Sequence, residues 1–232
     1  MRRPLLLGHR GASADAPENT LAAFRLAQAQ GADGIEFDVR LSADGWPVVF
    51  HDASVARLTN GVGQVAEMKL AALQALDIGN ESGFPLLSEV FATLGSDFIY
   101  NIELKDGRNR ALVTTVADCI CTAHLEKKVI LSSFYPWVVY WAKQEMEGQT
   151  AVAHLWRKAG GRFKHRFVKA QADHPLFSWV DDRYMDWAVN KNRLRVHVWT
   201  VDDPDEAQRL ADLGVHAIIT NKPGLIRERL KL

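Results

Sequence analysis

Two short segments place acidic side chains where they could act together. In Ile35-Glu36-Phe37-Asp38-Val39-Arg40-Leu41 apolar residues alternate with Glu36, Asp38 and Arg40; in Ile99-Tyr100-Asn101-Ile102-Glu103-Leu104-Lys105 they alternate with Asn101, Glu103 and Lys105. A strand sends successive side chains to opposite faces, so each segment presents one apolar and one polar face. Carboxylates gathered on a covered face need a compensating cation or donor. An all-oxygen set without cysteine suits a hard divalent ion, Mg2+ or Ca2+, better than structural zinc, and a plain charge network with Arg40 and Lys105 is the alternative. His9 follows Leu5-Leu6-Leu7-Gly8, and His51 follows Val48-Val49-Phe50. Phosphoester cleavage near neutral pH needs one group to take a proton and another to protonate the departing oxygen, and two histidines beside three carboxylates suit that chemistry. Arg10 can offer a planar fork to a phosphate and Lys105 a point charge, while Gly11 permits a close backbone approach.

These side chains converge only if their strands are parallel neighbours. Strand-like runs begin near Leu5, Ile35, Ile99, Val129, Ala151, Leu176, Arg195 and His216, with helical patterns between them. Eight units in this length average about 29 residues, the size of a βα unit, and predict a closed (β/α)8 barrel, a TIM barrel of class α/β, spanning residues 1–232 as one domain. The apolar faces then meet the helices, and the carboxylates and histidines lie at the C-terminal rim, where barrel enzymes keep their sites. The run Leu176–Val180 is ambiguous, because Phe177-Ser178-Trp179 equally suits a loop. One gap of about 64 residues, Ile35 to Ile99, exceeds a crossover helix. Within it Ser42-Ala43-Asp44-Gly45-Trp46-Pro47 is too short for a parallel crossover, so Ile35–Leu41 and Val48–His51 form an antiparallel hairpin. Setting Leu41 against Val48 puts Val39 opposite Phe50 and Asp38 opposite His51, with a bulge able to shift this by one. Residues 53–85 form a small insertion with a helical rhythm at Met68, Leu70, Leu73 and Leu76.

His9-Arg10-Gly11, Pro17-Glu18-Asn19-Thr20, Ile35–Val39, Val48-Val49-Phe50-His51-Asp52, Asn101–Lys105 and Val198-Trp199-Thr200-Val201 together resemble, in that order, the glycerophosphodiester phosphodiesterase family. The resemblance runs over residues 8 to 223. It implies a (β/α)8 barrel with a small insertion after the His-Asp motif, and metal-dependent hydrolysis of glycerophosphodiesters to sn-glycerol 3-phosphate and an alcohol. It further implies Glu36, Asp38 and Glu103 as ligands of one divalent cation, Mg2+ or Ca2+, His9 and His51 as the acid/base pair, Arg10 and Lys105 as phosphate ligands, and Trp199 as a wall against the glycerol. Glu18 and Asn19 match family positions behind the site, although they also read as capping residues of the helix that follows. The chain departs from the family at Thr220-Asn221-Lys222-Pro223, where the usual motif has Asp in place of Asn221. Asn keeps an acceptor and loses the charge, so Asn221 is left out of the metal site. Lysophospholipase D activity is the alternative among enzymes, and a silent barrel serving as a binding module the alternative outside them.

With 28 Lys+Arg against 28 Asp+Glu, the net charge of zero offers no field to attract a polyanion, so the expected partner is a small-molecule diester, with neither nucleic acid nor stable membrane association. The apolar run after Met1-Arg2-Arg3-Pro4 is too short for a signal peptide, giving a cytoplasmic expectation. Cys119 and Cys121 point to different faces of a helix and are expected to be buried reduced thiols. The basic stretch Arg157, Lys158, Arg162, Lys164, Arg166 and Lys169 is expected as a solvated loop, and Leu225–Leu232 as the last barrel helix.

Overall fold

A computed structural model of the chain describes residues 3–78, 81–82, 84–158, 160–161 and 167–232, with backbone alone at 81–82. Eight parallel strands close on themselves: β1 (Leu5–His9), β2 (Gly34–Leu41), β6 (Ile99–Leu104), β7 (Val129–Ser133), β8 (Ala151–Trp156), β9 (Ala172–Pro175), β10 (Arg195–Val198) and β11 (Ala217–Thr220). Closure comes from β1, which pairs with β2 on one side and β11 on the other. Ile35, Phe37 and Val39 point outward into the main core with Phe24, Val90, Phe91 and Val113, and the Phe24 and Phe37 rings lie 5.5 Å apart. Helix Leu21–Ala29 brings Phe24 there, and its cap is Thr20, whose side chain accepts from the Ala23 amide. The capping role considered for Glu18 and Asn19 therefore falls to Thr20, which leaves those two side chains to the site. Helix Pro223–Leu230 closes the barrel with Ile226 buried, as expected of the last helix.

Three local expectations are corrected. The strand sought at Leu176–Val180 is β9, Ala172–Pro175, and Phe177–Trp179 is a single 3-10 turn. The hairpin strand β3 (Pro47–Val49) pairs Leu41 with Pro47, Arg40 with Val48 and Val39 with Val49, one residue from the expected register. The cause is a tighter turn: Ser42 N–H donates to the Trp46 carbonyl, and Gly45 at φ +88° supplies the left-handed residue that closes a three-residue loop. The third correction concerns the thiols, since Cys119 is half-buried and Cys121 exposed on helix Arg110–Ala123.

After β3 the chain makes 3-10 turns at Val55–Arg57 and Val65–Glu67, a short helix Leu70–Gln74 and a two-stranded ribbon of β4 (Asp77–Ile78) and β5 (Glu81–Ser82). This excursion has its own small core, in which Phe50, Val55, Val65, Leu73 and Phe84 pack together. Among the described residues no helix is long and apolar enough to cross a membrane. Of the basic stretch, Arg162, Lys164 and Arg166 lie outside the described residues, while Arg157 and Lys158 are exposed.

Candidate active site

Period-two alternation carries Glu36 and Asp38 on β2 and Glu103 on β6 to the barrel interior. Asp38 sits opposite Glu103 in the ladder, and one oxygen from each of the three buried carboxylates falls within 4.8 Å of the others. Arg10 and Lys105 lean on this cluster: Arg10 Nε is 3.2 Å from Asp38 Oδ2, and Lys105 Nζ lies 3.4 Å from Asp38 Oδ1 and 2.8 Å from Glu103 Oε1. Arg40, grouped with them in the charge-network alternative, instead turns both Nε and Nη2 to the His51 carbonyl. Burial pushes all three carboxyls up. At Asp38 the Lys105 and Arg10 charges outweigh that cost and hold it ionised, whereas burial together with the Asp38 charge raises Glu36 to about 8 and Glu103 to about 7.

A hard cation fits these residues. Asn101, on the same inner face and opposite Glu36, is fully buried with neither amide atom partnered among the described residues, a polar group left over beside three clustered carboxyl oxygens. The buried acidic group could hold an ion that would replace the protons Glu36 and Glu103 otherwise carry near neutral pH.

The two histidines flank the cluster at the rim, each fixed through Nδ1. His9 Nδ1 donates to Asn221 Oδ1 at 2.7 Å, leaving Nε2 facing the cluster 3.7 Å from Glu36 Oε2. The amide orientation of Asn221 is set by its own partners, since Nδ2 donates to Asp202 Oδ2 at 2.6 Å while Ser13 Oγ donates to Oδ1. His51 Nδ1 instead donates to a carboxylate, Asp52 Oδ1, at 2.6 Å. Burial lowers both histidines from their ordinary value; the Arg10 charge adds to this at His9, while the Asp38 charge opposes it at His51.

Behind the site, Asn19 Nδ2 donates to Asp38 Oδ2 at 2.9 Å, and Glu18 Oε1 accepts from Arg10 Nη1 at 2.8 Å. Arg10 and Gly11 both take positive φ, and a Cβ on Gly11 would lie 2.6 Å from the Ala23 carbonyl carbon, so this turn requires glycine. A cavity of about 280 Å³ opens over the cluster, lined by the polar His9, Arg10, Glu36, His51, Glu103, Lys105 and Arg157 and by Phe134, Leu155, Trp199 and Ile219. Trp199 is held by its Nε1–H donating to the His174 carbonyl and by an edge-on contact with Phe134 at 5.4 Å. A larger hollow of about 630 Å³ lies outside the barrel, against helices Leu87–Leu94 and Arg110–Ala123, and holds none of these residues.

All ten residues singled out in the sequence thus meet at one rim. Sequence reasoning missed Asp52 and Asn221 as the partners of the two histidines, and Arg57, which joins Asp52 to Glu18. Adjacency in the His-Asp pair was a signal for Asp52, whereas nothing local ties His9 to a residue 212 positions away.

The sequence model of the "Glycerophosphoryl diester phosphodiesterase family" matches residues 9–225. The chain belongs to that family. A glycerophosphodiester phosphodiesterase of Caldanaerobacter subterraneus is 34% identical over 95% of this chain and 95% of its own. Among solved structures, the Oleispira antarctica phosphodiesterase in complex with sn-glycerol-3-phosphate aligns at TM-score 0.90 and 27% identity, covering 99% of this chain and 98% of that one. The glycerophosphodiester phosphodiesterase of Agrobacterium tumefaciens aligns at TM-score 0.84 and 26% identity over 97% and 99%. The fold is the TIM barrel of this family, and the chain is a hydrolase of the phosphodiesterase class.

Proposed function

We propose that the protein hydrolyses glycerophosphodiesters to sn-glycerol 3-phosphate and an alcohol, with a divalent cation held by Glu36, Asp38 and Glu103. The observation that carries this reading is the grouping of three buried carboxyl oxygens within 4.8 Å beneath two histidines whose Nδ1 atoms are both engaged. When bound, a Mg2+ or Ca2+ ion supplies charge for the phosphoryl oxygen and a seat for a glycerol hydroxyl. Arg10 and Lys105 bind the phosphate, and Trp199 walls the glycerol.

The partners of the histidines divide their roles. Asn221 Oδ1 is only an acceptor, so His9 keeps its proton on Nδ1 and presents the Nε2 lone pair; a neutral amide gives an imidazolium little support. His9 is the base, taking a proton from the attacking oxygen, either water or the glycerol 2-hydroxyl; where the hydroxyl attacks, water then opens the cyclic phosphate to sn-glycerol 3-phosphate. Asp52 is a carboxylate and supports a second proton on His51. His51 is the acid: as the bond from phosphorus to the alcohol oxygen breaks, its Nε2 proton passes to the departing oxygen.

The proposal takes residues 1–232 as one such domain, with the 53–85 excursion as its insertion, acting in the cytoplasm on a small-molecule substrate. A coupled assay for sn-glycerol 3-phosphate release over a panel of diesters, with and without EDTA, tests it. Release that EDTA abolishes and Mg2+ or Ca2+ restores is expected; no release from any diester overturns the substrate class, and EDTA-insensitive release overturns the cation.

A further inference from the structure

Arg57 of the excursion reaches back to the site. Arg57 ends the 3-10 turn Val55–Arg57 and spreads its guanidinium between two carboxylates. Nη2 donates to Glu18 Oε1 at 2.7 Å, and Nε donates to Asp52 Oδ2 at 2.5 Å. Those carboxylates come from different parts of the barrel, Glu18 from the loop after β1 and Asp52 from the segment after β3. The other oxygen of Asp52 receives His51 Nδ1–H, and Glu18 is itself anchored on Arg10. An ordered path therefore runs Arg10–Glu18–Arg57–Asp52–His51.

We propose that Arg57 is a positioning residue for the reaction: braced on Glu18, it holds Asp52 against His51 and so fixes the ring with Nδ1–H inward and Nε2 toward the leaving oxygen. The inference rests on the reading of His51 as the acid. Its physical basis is the division of labour on the Asp52 carboxylate. One oxygen serves the imidazole, and the other has Arg57 as its hydrogen-bond donor among the described residues. Without that donor the carboxylate is free to turn toward solvent, and His51 loses the acceptor that holds its Nδ1–H and keeps Nε2 aimed at the leaving oxygen. Arg57 is about half exposed, with a side-chain exposure of 48%, so its ion pairs add little to global stability. Orientation of the site is what its removal should change.

The test compares Arg57→Ala, Arg57→Gln and Arg57→Lys with the wild type, using turnover on diesters with unactivated and nitrophenyl leaving groups and the ring signals of His51 in ¹⁵N-resolved NMR spectra. In the alanine and glutamine variants kcat on the unactivated diester should fall about 10- to 100-fold with KM changed less than about threefold, and the defect should shrink on the nitrophenyl substrate, which needs less protonation. The Nδ1–H signal of His51, which reports the hydrogen bond to Asp52, should weaken or broaden as the ring loses its fixed orientation. Lysine keeps the charge but cannot span both carboxylates as a fork, so it should rescue only in part. Wild-type kcat and an unchanged His51 Nδ1–H signal in both Arg57→Ala and Arg57→Gln would overturn the role, as would a lost kcat with that signal intact. His51→Ala separates this outcome from failure of the underlying reading: if that variant turns over unactivated diesters normally, His51 is not the acid, whatever Arg57 does.

Discussion

At the scale of single residues, the site works by giving like side chains unlike partners. Asn221 illustrates this, since an amide where the family pattern has a carboxylate keeps the acceptor for His9 while its Nδ2 satisfies Asp202. Asn221→Ala should leave His9 without its acceptor and lower kcat about 10- to 100-fold with little change in KM. Asn221→Asp would set a second carboxylate against Asp202, where the amide nitrogen now donates at 2.6 Å, and like charges that close are costly. It should therefore lose thermal stability, and a variant as stable as wild type by calorimetry would count against the Asp202 contact. The carboxylates carry a pH dependence of their own. Glu36 and Glu103, raised to about 8 and about 7, hold protons at pH 6 that a cation must displace, so apparent affinity should rise with pH from 6 to 8 and level off above it. Calorimetry in buffers of different ionisation enthalpy should detect the released protons, and Glu103→Gln should weaken binding and flatten the pH dependence. Affinity independent of pH would remove these two groups from the cation site.

At the scale of elements, barrel and excursion have separate cores joined at Asp52 and Arg57. Phe50 anchors the smaller core, its ring 4.4 Å from that of Phe84, and it immediately precedes His51. Phe50→Ala removes a fully buried aromatic, a change worth roughly 3–5 kcal/mol in well-packed cores. The expected result is faster hydrogen exchange over residues 53–85 and at least a tenfold drop in kcat, with β6 to β8 still protected; uniform deprotection would show that the excursion is not a separate unit. What the sequence made legible follows the same division. Glu36, Asp38 and Glu103 could be read because strand alternation and two similar segments fix both face and level. The hairpin register slipped by one because Gly45, at positive φ, tightened a turn that six turn-like residues left open. β9 was placed too late because Ala172-Asp173-His174-Pro175 carries no β-branched residue to mark it as a strand, while Phe177–Trp179 carries aromatics. The Asn221–His9 contact requires a closed barrel, and no local pattern encodes the meeting of its first and last strands.

At the scale of the whole molecule, the cavity sets what the barrel can accept. About 280 Å³ lies just below the roughly 300–1,000 Å³ of sites that enclose drug-sized ligands, enough for a phosphate and a glycerol of the proposed substrate. An acyl chain retained on the glycerol would extend beyond that volume into water and gain little of the roughly 0.8 kcal/mol per methylene that burial supplies. Glycerophosphocholine should accordingly be turned over at least tenfold more efficiently than lysophosphatidylcholine, which measurement of both side by side decides against or for the lysophospholipase D alternative. The alcohol end meets fewer fixed partners. Among the described lining residues outside the phosphate cluster, only Arg157 is charged, and it is exposed. An exposed cation discriminates weakly, so kcat/KM across choline, ethanolamine, glycerol and serine diesters should stay within about tenfold, or roughly 1.4 kcal/mol. Serine, with its carboxylate, should sit at the favoured end of that range and lose its advantage in Arg157→Ala. A hundredfold preference for one alcohol would mean that a specific headgroup pocket exists beyond these lining residues, and would overturn the view that selectivity ends at the glycerol phosphate.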